Sequence, residues 1–471
     1  MNHTIVENFD VQARTVLAWI ERYLSDPRAY PVLSTAKPGE ISSALPAAPP
    51  EEPEPFDAIF ADFENVILPG ITHWNHPRFF AYFSNSSVPV AVLAEALAGA
   101  LNVNAMLWRT SPAATELEDV VLGWLRQLLG LPEAFHGIIY DTASIAGFTA
   151  LAAAREALGL DIRERGMAGR DIPVPRVYIT AHTHSHIEKG AIALGIGRAN
   201  VVAIPCDDRY QMDAAALEAQ IEDDLAGGFR PMCIVGTIGT TSMTSVDPTA
   251  QLARIAKKYG VWLHVDAAYA GVAAMLEEHR HLFAGVEEAD SLVVNPHKWL
   301  FVPMDLCVLY VRDPEALRRT FSLVADYLQT SETGVHNYMD YGLQLGRRFR
   351  ALKLWFVLRT YGARGVRERI RAHIGFAAEL ARWIDAEPGW ELSAPHPFSV
   401  VCFRYCPPSL SATEVDARNT AIMERVNATG QAFLSSTQID GKTVLRIAIG
   451  NAETTLEDVR SAWDLLRANI S

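Results

Sequence analysis

Cysteine is scarce in this chain, and so are the usual signals of a disulfide framework, a membrane span or a nucleic-acid partner. Its five cysteines (Cys206, Cys233, Cys307, Cys402 and Cys406) in 471 residues are odd in number and lie mostly in apolar surroundings. That pattern fits reduced thiols in a cytoplasmic protein. Cys402 and Cys406 stand four apart, yet no further Cys or His nearby completes a zinc site. Basic excess is also missing. Charged residues make up 20% and the net charge is −14, which argues against nucleic acid or an anionic membrane as a partner. The most apolar long segment, 89–108, is interrupted by Glu95, Asn102 and Asn104, so it predicts a core helix and not a span. The first twenty residues carry acids early and lack a basic segment followed by an apolar core, so no signal peptide is expected. No internal repeat is present.

What is there is an ordinary globular composition, 49% hydrophobic, with length for two or three domains. Residues 8–25 predict a helix. Five prolines between Pro46 and Pro55 then force an extended connection. Residues 1–75 therefore read as an N-terminal helical arm that reaches over something, a partner subunit being one candidate. From 76 to 365 helical patterns alternate with short apolar runs, the mark of an α/β domain with a large, mostly parallel sheet covered on both faces. GIIY, RVYITA, VVAIPC, CIVGTIG, VWLHVDAA, SLVVNP and LCVLYVRD supply up to seven strands. Ser111-Pro112 starts a helix that stops at Gly130. Residues 366–471 predict a small α+β domain: a helix through IGFAAELARWIDA, strands FSVVCFRY and KTVLRIAIG, and a closing helix with Thr455 and Asp458 at capping-box spacing.

The chemistry centres on SLVVNPHKWLF, where Lys298 follows an apolar run, and on VWLHVDAAYAG, where Asp266 lies 32 residues upstream. A charge buried on a strand is costly unless it is paired or used. A lysine and a carboxylate at neighbouring strand ends suit pyridoxal phosphate: the lysine forms a Schiff base and the carboxylate keeps the pyridine nitrogen protonated. A lysine merely snorkelling at a strand end would explain Lys298 alone, but not the joint pattern.

The turn DTASIAG (141–147) follows a strand and opens a helix, so Thr142 and Ser144 stand beside free backbone N–H groups, an anion site suited to a phosphate ester. Alone it is also a good N-cap and no more, and GTIGTTS (236–242) is equally ambiguous. HTHSH places His182, His184 and His186 on one face if extended, as metal ligands would be. No carboxylate or thiol with ligand spacing accompanies them, so no metal is expected. One imidazole stacked on a flat cofactor ring is the competing use, with the other two as surface residues.

Five motifs, HPRFFAYF, SPAATELE, HVDAAYAG, NPHKWL and LGRRFRALKLWF, together resemble the group II pyridoxal-phosphate decarboxylases, in the aromatic-L-amino-acid branch. The likeness runs in family order from about residue 70 to 370 and more weakly through both ends. It implies a fold-type-I enzyme and a homodimer with the active site completed across the interface. It implies Lys298 as the Schiff-base lysine, Asp266 at the pyridine nitrogen, and Ala268 and His184 on the two faces of the ring. Thr142, Ala143, Ser144 and Asn295 would hold the phosphate, with Thr241 and His297 close to the cofactor and the substrate carboxylate. Trp74, Tyr82 and Phe83 would line the substrate pocket, and Met106 would reach it from the other subunit. Tyr327, in VADYLQT, falls where the family carries a loop tyrosine that protonates the substrate α-carbon. Relatives that form aldehydes replace this tyrosine by phenylalanine or the histidine by asparagine, so decarboxylation to the amine is expected and an aldehyde synthase is the alternative. Gly346 matches the position where glycine leaves room for an indole, which favours tryptophan over phenylalanine, tyrosine and their hydroxylated forms. A metal hydrolase built on HTHSH is the reading from another class.

Overall fold

The computed structural model describes residues 8–323 and 332–470. Eleven strands form two sheets among the described residues. The large sheet takes β1 (His136–Tyr140), β2 (Pro175–Thr180), β3 (Val201–Ile204), β4 (Arg230–Thr237), β5 (Trp262–Asp266), β6 (Ser291–Val294) and β7 (Cys307–Val311), in the order β1-β7-β6-β5-β4-β2-β3. Only β7 runs against its neighbours β1 and β6; the other pairings are parallel. The small sheet, β8 (Trp390–Leu392), β9 (Val400–Tyr405), β10 (Ser435–Ile439) and β11 (Lys442–Ala448), is antiparallel in the order β10-β11-β9-β8.

The strands are continuous apolar runs because both faces are covered. Ile139, Tyr178, Ile234, Leu263, Val265 and Val308 pack with Val121 and Leu125 of the helix Pro112–Leu129 on one face. Ile138, Val293, Cys307 and Leu309 meet Ala146, Ala150 and Ala153 of the helix Ala143–Glu156 on the other. This alternation is the period of two that a strand requires. Trp262 faces the second set, so His264 and Asp266, two and four residues on, do too.

The C-terminal half is joined by one helix, Ala351–Ala386, interrupted at Gly362, whose φ of 61° breaks the helical geometry. The expected helix near 374–386 is the last third of this longer element. The N-terminal helix Phe9–Ser25 buries none of its residues. Beyond it the chain is fastened to the small sheet's layer by the Arg28–Asp458 ion pair at 2.7 Å and by Val32 N–H donating to the Gly430 carbonyl.

Candidate active site

Because β7 opposes both β1 and β6, the strands β1, β2, β4, β5 and β6 all point the same way, and their carboxyl ends share one edge. That edge is where ligands bind in open α/β sheets. The loops leaving it enclose a cavity of about 190 Å³. Thr142, Ala143 and Ser144 enter it after β1, His184 after β2, Thr241 after β4, Asp266 as the last residue of β5 with Ala268 just beyond, and Asn295, His297 and Lys298 after β6; Phe83 closes a wall. Lys298 is not on the strand itself. It sits on the single helical turn Pro296–Trp299, which Pro296 starts and which turns the side chain back over the edge.

Burial governs the electrostatics. It lowers the Lys298 ammonium pKa, only partly opposed by Asp266, so neutral amine is accessible. Asp266 is 5% exposed and accepts the Ala268 N–H at 3.0 Å. Burial pushes its pKa upward, but His186, Lys298 and the Ala268 N–H hold it below the ordinary value, and it stays ionised. Burial also takes His297 down to about 4, and its Nδ1 accepts the Leu306 N–H at 3.0 Å, which leaves Nε2 as the protonated nitrogen. Behind the lysine, Tyr269 stacks between Phe83 at 3.8 Å and Trp299 at 4.8 Å, and Trp299 donates to His373 Nδ1 at 3.0 Å. Lys298 Nζ lies 5.0 Å from the Phe83 ring centre, so this stack fixes the lysine's stem.

The cavity suits pyridoxal phosphate on its own polar atoms. Lys298 has no carboxylate within ion-pair distance among the described residues. The Asn295 Oδ1 and Thr237 Oγ1 atoms are buried without partners. The Ala143–Glu156 helix opens on Thr142, whose side chain does not cap it, so its first N–H groups are available to an anion.

A scan against family models matches residues 38–406 to the pyridoxal-dependent decarboxylase conserved domain. The chain belongs to the pyridoxal-dependent decarboxylases. Within them it falls in the aromatic-amino-acid branch. It is 39% identical to tyrosine decarboxylase 3 of Petroselinum crispum, over 99% of this chain and 92% of that one. It is 37% identical to phenylacetaldehyde synthase of a Rosa hybrid cultivar, over 98% and 93%. The crystal structure of Oryza sativa TDC with PLP and tryptamine superposes with a TM-score of 0.96 at 34% identity, covering 100% of this chain and 99% of that one. The protein is thus a decarboxylase whose cofactor is pyridoxal phosphate.

Not every predicted residue lines the cavity of this decarboxylase. Trp74 stacks on Phe79 at 4.3 Å and with Tyr82 forms an outer aromatic patch, Tyr82 being 55% exposed. Met106 packs with Leu107 and Met339, and Gly346 neighbours Asn104, whose side chain donates to the Met106 sulfur. Tyr327 lies outside the described residues. The three histidines of 182–186 do not share a face. Thr183 N–H donates to the Thr180 carbonyl and the chain turns, so His182 goes to Tyr210 and His186 opens a helix. His186 is buried at 4% exposure and is a wall of the cavity, not the surface residue expected. No cluster of three or more metal-ligating side chains occurs among the described residues. Arg446 of β11 was also missed. It is buried, its guanidinium lies 4.6 Å from the Phe83 ring, it bonds the Ser242 and Tyr82 carbonyls, and its Nη2 has no partner.

Acid sensitivity follows from the same burial. His136, His264, His297 and His373 are each pushed down to about 4 by burial, against an ordinary 6.5. The unfolded chain protonates first, so stability is complete above 6.5 and is lost as pH falls towards 4. Melting temperatures in a pH series should hold at neutral pH and drop through this window; a constant value across it contradicts the assignment.

Proposed function

We propose that the protein decarboxylates an aromatic L-amino acid, tryptophan favoured over phenylalanine, tyrosine and their hydroxylated forms, to the aryl-alkyl amine and carbon dioxide. The observation that carries this reading is Lys298 and Asp266 at the carboxyl ends of adjacent parallel strands, Lys298 on the helical turn after β6, in a cavity that also holds a free helix N-terminus. Pyridoxal phosphate, when bound, supplies the electron sink for the bond to the lost carboxylate. Thr142, Ala143, Ser144 and Asn295 would hold its phosphate. Asp266 would keep a proton on its ring nitrogen, Ala268 and His184 would lie against its two faces, and Lys298 would attach it. Thr241 and His297 would orient the substrate carboxylate, Phe83 would exclude water around the aromatic group, and Trp74 and Tyr82 would form the outer rim of that pocket. Tyr327, directly or through His184, delivers the proton to the substrate α-carbon.

An aldehyde synthase on the same scaffold is the second reading, favoured by the similarity to phenylacetaldehyde synthase. Tyr327 and His184 argue for simple decarboxylation. Tyr327→Phe should move product from amine towards aldehyde and peroxide; unchanged amine yield removes Tyr327 from protonation. A panel of aromatic amino acids with glutamate and histidine, read as amine and carbon dioxide, tests the substrate class.

Met106 and Gly346 lie together away from the cavity of their own subunit, which fits a homodimer in which they complete the partner's pocket. Leu93, Leu97 and Leu101, spaced by four on the helix Pro89–Leu101, are each at least 49% exposed. A stripe of this kind is what a second copy covers. We further propose a division into a helical arm (1–75), a cofactor domain (76–365) and a C-terminal domain (366–471), the second boundary three residues beyond the kink at Gly362. All five cysteines are free, which supports a cytoplasmic location. No helix among the described residues is long and apolar enough to cross a membrane.

A further inference from the structure

His184 and His186 meet through their Nδ1 atoms at 2.8 Å. A hydrogen bond between two imidazole nitrogens needs one protonated and one bare, so the rings hold different tautomers at this contact. A second donor decides which. The backbone N–H of His186 also points at Nδ1 of His184, at 3.3 Å, and an amide N–H can only donate. Nδ1 of His184 is therefore the acceptor of both bonds, and Nδ1 of His186 is the side-chain donor. This network assigns the single proton of His184 to Nε2. The Nε2 of His186 is then a bare acceptor, and it is indeed buried without a partner.

The fold makes room for this ring. A Cβ at position 147 would lie 2.6 Å from both Cδ2 and Nε2 of His186, so only glycine fits there. Gly147 belongs to the same Ala143–Glu156 helix whose N-terminus faces the cavity.

We propose that His186 is a positioning residue for the decarboxylase: it locks His184 as the Nε2–H tautomer, fixes the plane of that ring, and resists a second proton on it. Resting on the function proposed above, this explains how one histidine can both lie flat over a cofactor ring and keep a proton ready at Nε2. A second proton on His184 would have to go on Nδ1. His186 would then accept instead of donate, and its own proton would move to Nε2, where no acceptor waits. The charges facing the pair are few. Asp266, His264 and Lys298 act on His186, and Asp266, Lys298 and Lys189 act on His184. Asp266 favours protonation of both rings, whereas burial and the lysines oppose it.

Histidine-selective 15N NMR of the cofactor-free protein reads the tautomer, and the pH profile of kcat/KM reads the second proton in the holoenzyme. His184 should give the Nε2–H signature in the natural sequence. His186→Ala leaves only the longer backbone N–H on Nδ1 of His184, so it should raise the acid-limb pKa by about one unit and lower kcat about tenfold with KM little changed. His186→Asn, which returns an N–H near the Nδ1 position, should restore both readouts. An Nδ1–H signature for His184 in the natural sequence overturns the proposal, as does a His186→Ala protein with an unchanged pH profile. If His186→Ala does not fold, the natural-sequence spectrum and His186→Asn still decide. Failure of the natural protein to form any amine would sink the decarboxylase reading separately, since the tautomer is measured without turnover.

Discussion

Replacing Lys298 with alanine is expected to lower kcat/KM by about 10⁴-fold or more, with no change in the fold. The lysine contributes covalent attachment and an amine whose neutral form burial favours, and each is a large catalytic factor. Its pKa is lowered because burial outweighs the nearby Asp266 carboxylate. Its ammonium lies 5.0 Å from the Phe83 ring, which Tyr269 holds independently. Melting temperature should therefore barely move while activity vanishes. Borohydride reduction of the natural holoenzyme should fix the chromophore on the peptide containing Lys298, and the alanine variant should retain none. Appreciable turnover by the variant, or label on another lysine, would dismantle the site as built here.

Asp266→Asn is the second large effect, and it isolates charge from shape. Asparagine can still accept the Ala268 N–H that holds the carboxylate at 3.0 Å, so the loop after β5 should keep its path. What is lost is the anion that holds a proton on the cofactor nitrogen, an electrostatic term of the kind that costs on the order of 10³-fold in kcat when removed. A further consequence separates this from simple misfolding. Asp266 is the main group raising the Lys298 pKa against burial, so its neutralisation should lower that pKa further. Attachment of added pyridoxal phosphate to the cofactor-free protein needs the neutral amine, so it should extend to lower pH in the variant. Equal kcat, or attachment that shifts to higher pH, contradicts the role given to Asp266.

Much of this architecture was legible in the chain because the large sheet is buried on both faces. Its seven strands are short apolar runs that a surface sheet would have interrupted with polar residues. Lys298 and Asp266 stood out because charges in such runs are costly. The small sheet was only half visible. β10, Ser435–Ile439, reads SSTQI, a polar edge strand without an apolar face. Its signal was the following Asp440-Gly441, both at positive φ, the two-residue turn that pairs β10 with β11. His186 escaped because an extended reading of HTHSH put three histidines in one row. The turn at Thr180–Thr183 breaks that row, and Gly147, 39 residues before His186, is the residue that accommodates the ring. Arg446 escaped for a different reason: a basic residue in KTVLRIAIG looks like a solvated strand position until the Tyr82 and Ser242 carbonyls are seen to meet it. Pairings across several hundred residues leave no local trace in a sequence.

On the function proposed, Lys298 and its surroundings remove carbon dioxide from an aromatic amino acid and return a proton to the same carbon. The most direct measurement is a product balance of the holoenzyme on L-tryptophan, followed by the other aromatic amino acids. Amine and carbon dioxide in equal amounts, with no hydrogen peroxide, is the predicted result. Aldehyde with peroxide, or decarboxylation confined to glutamate or histidine, would contradict it.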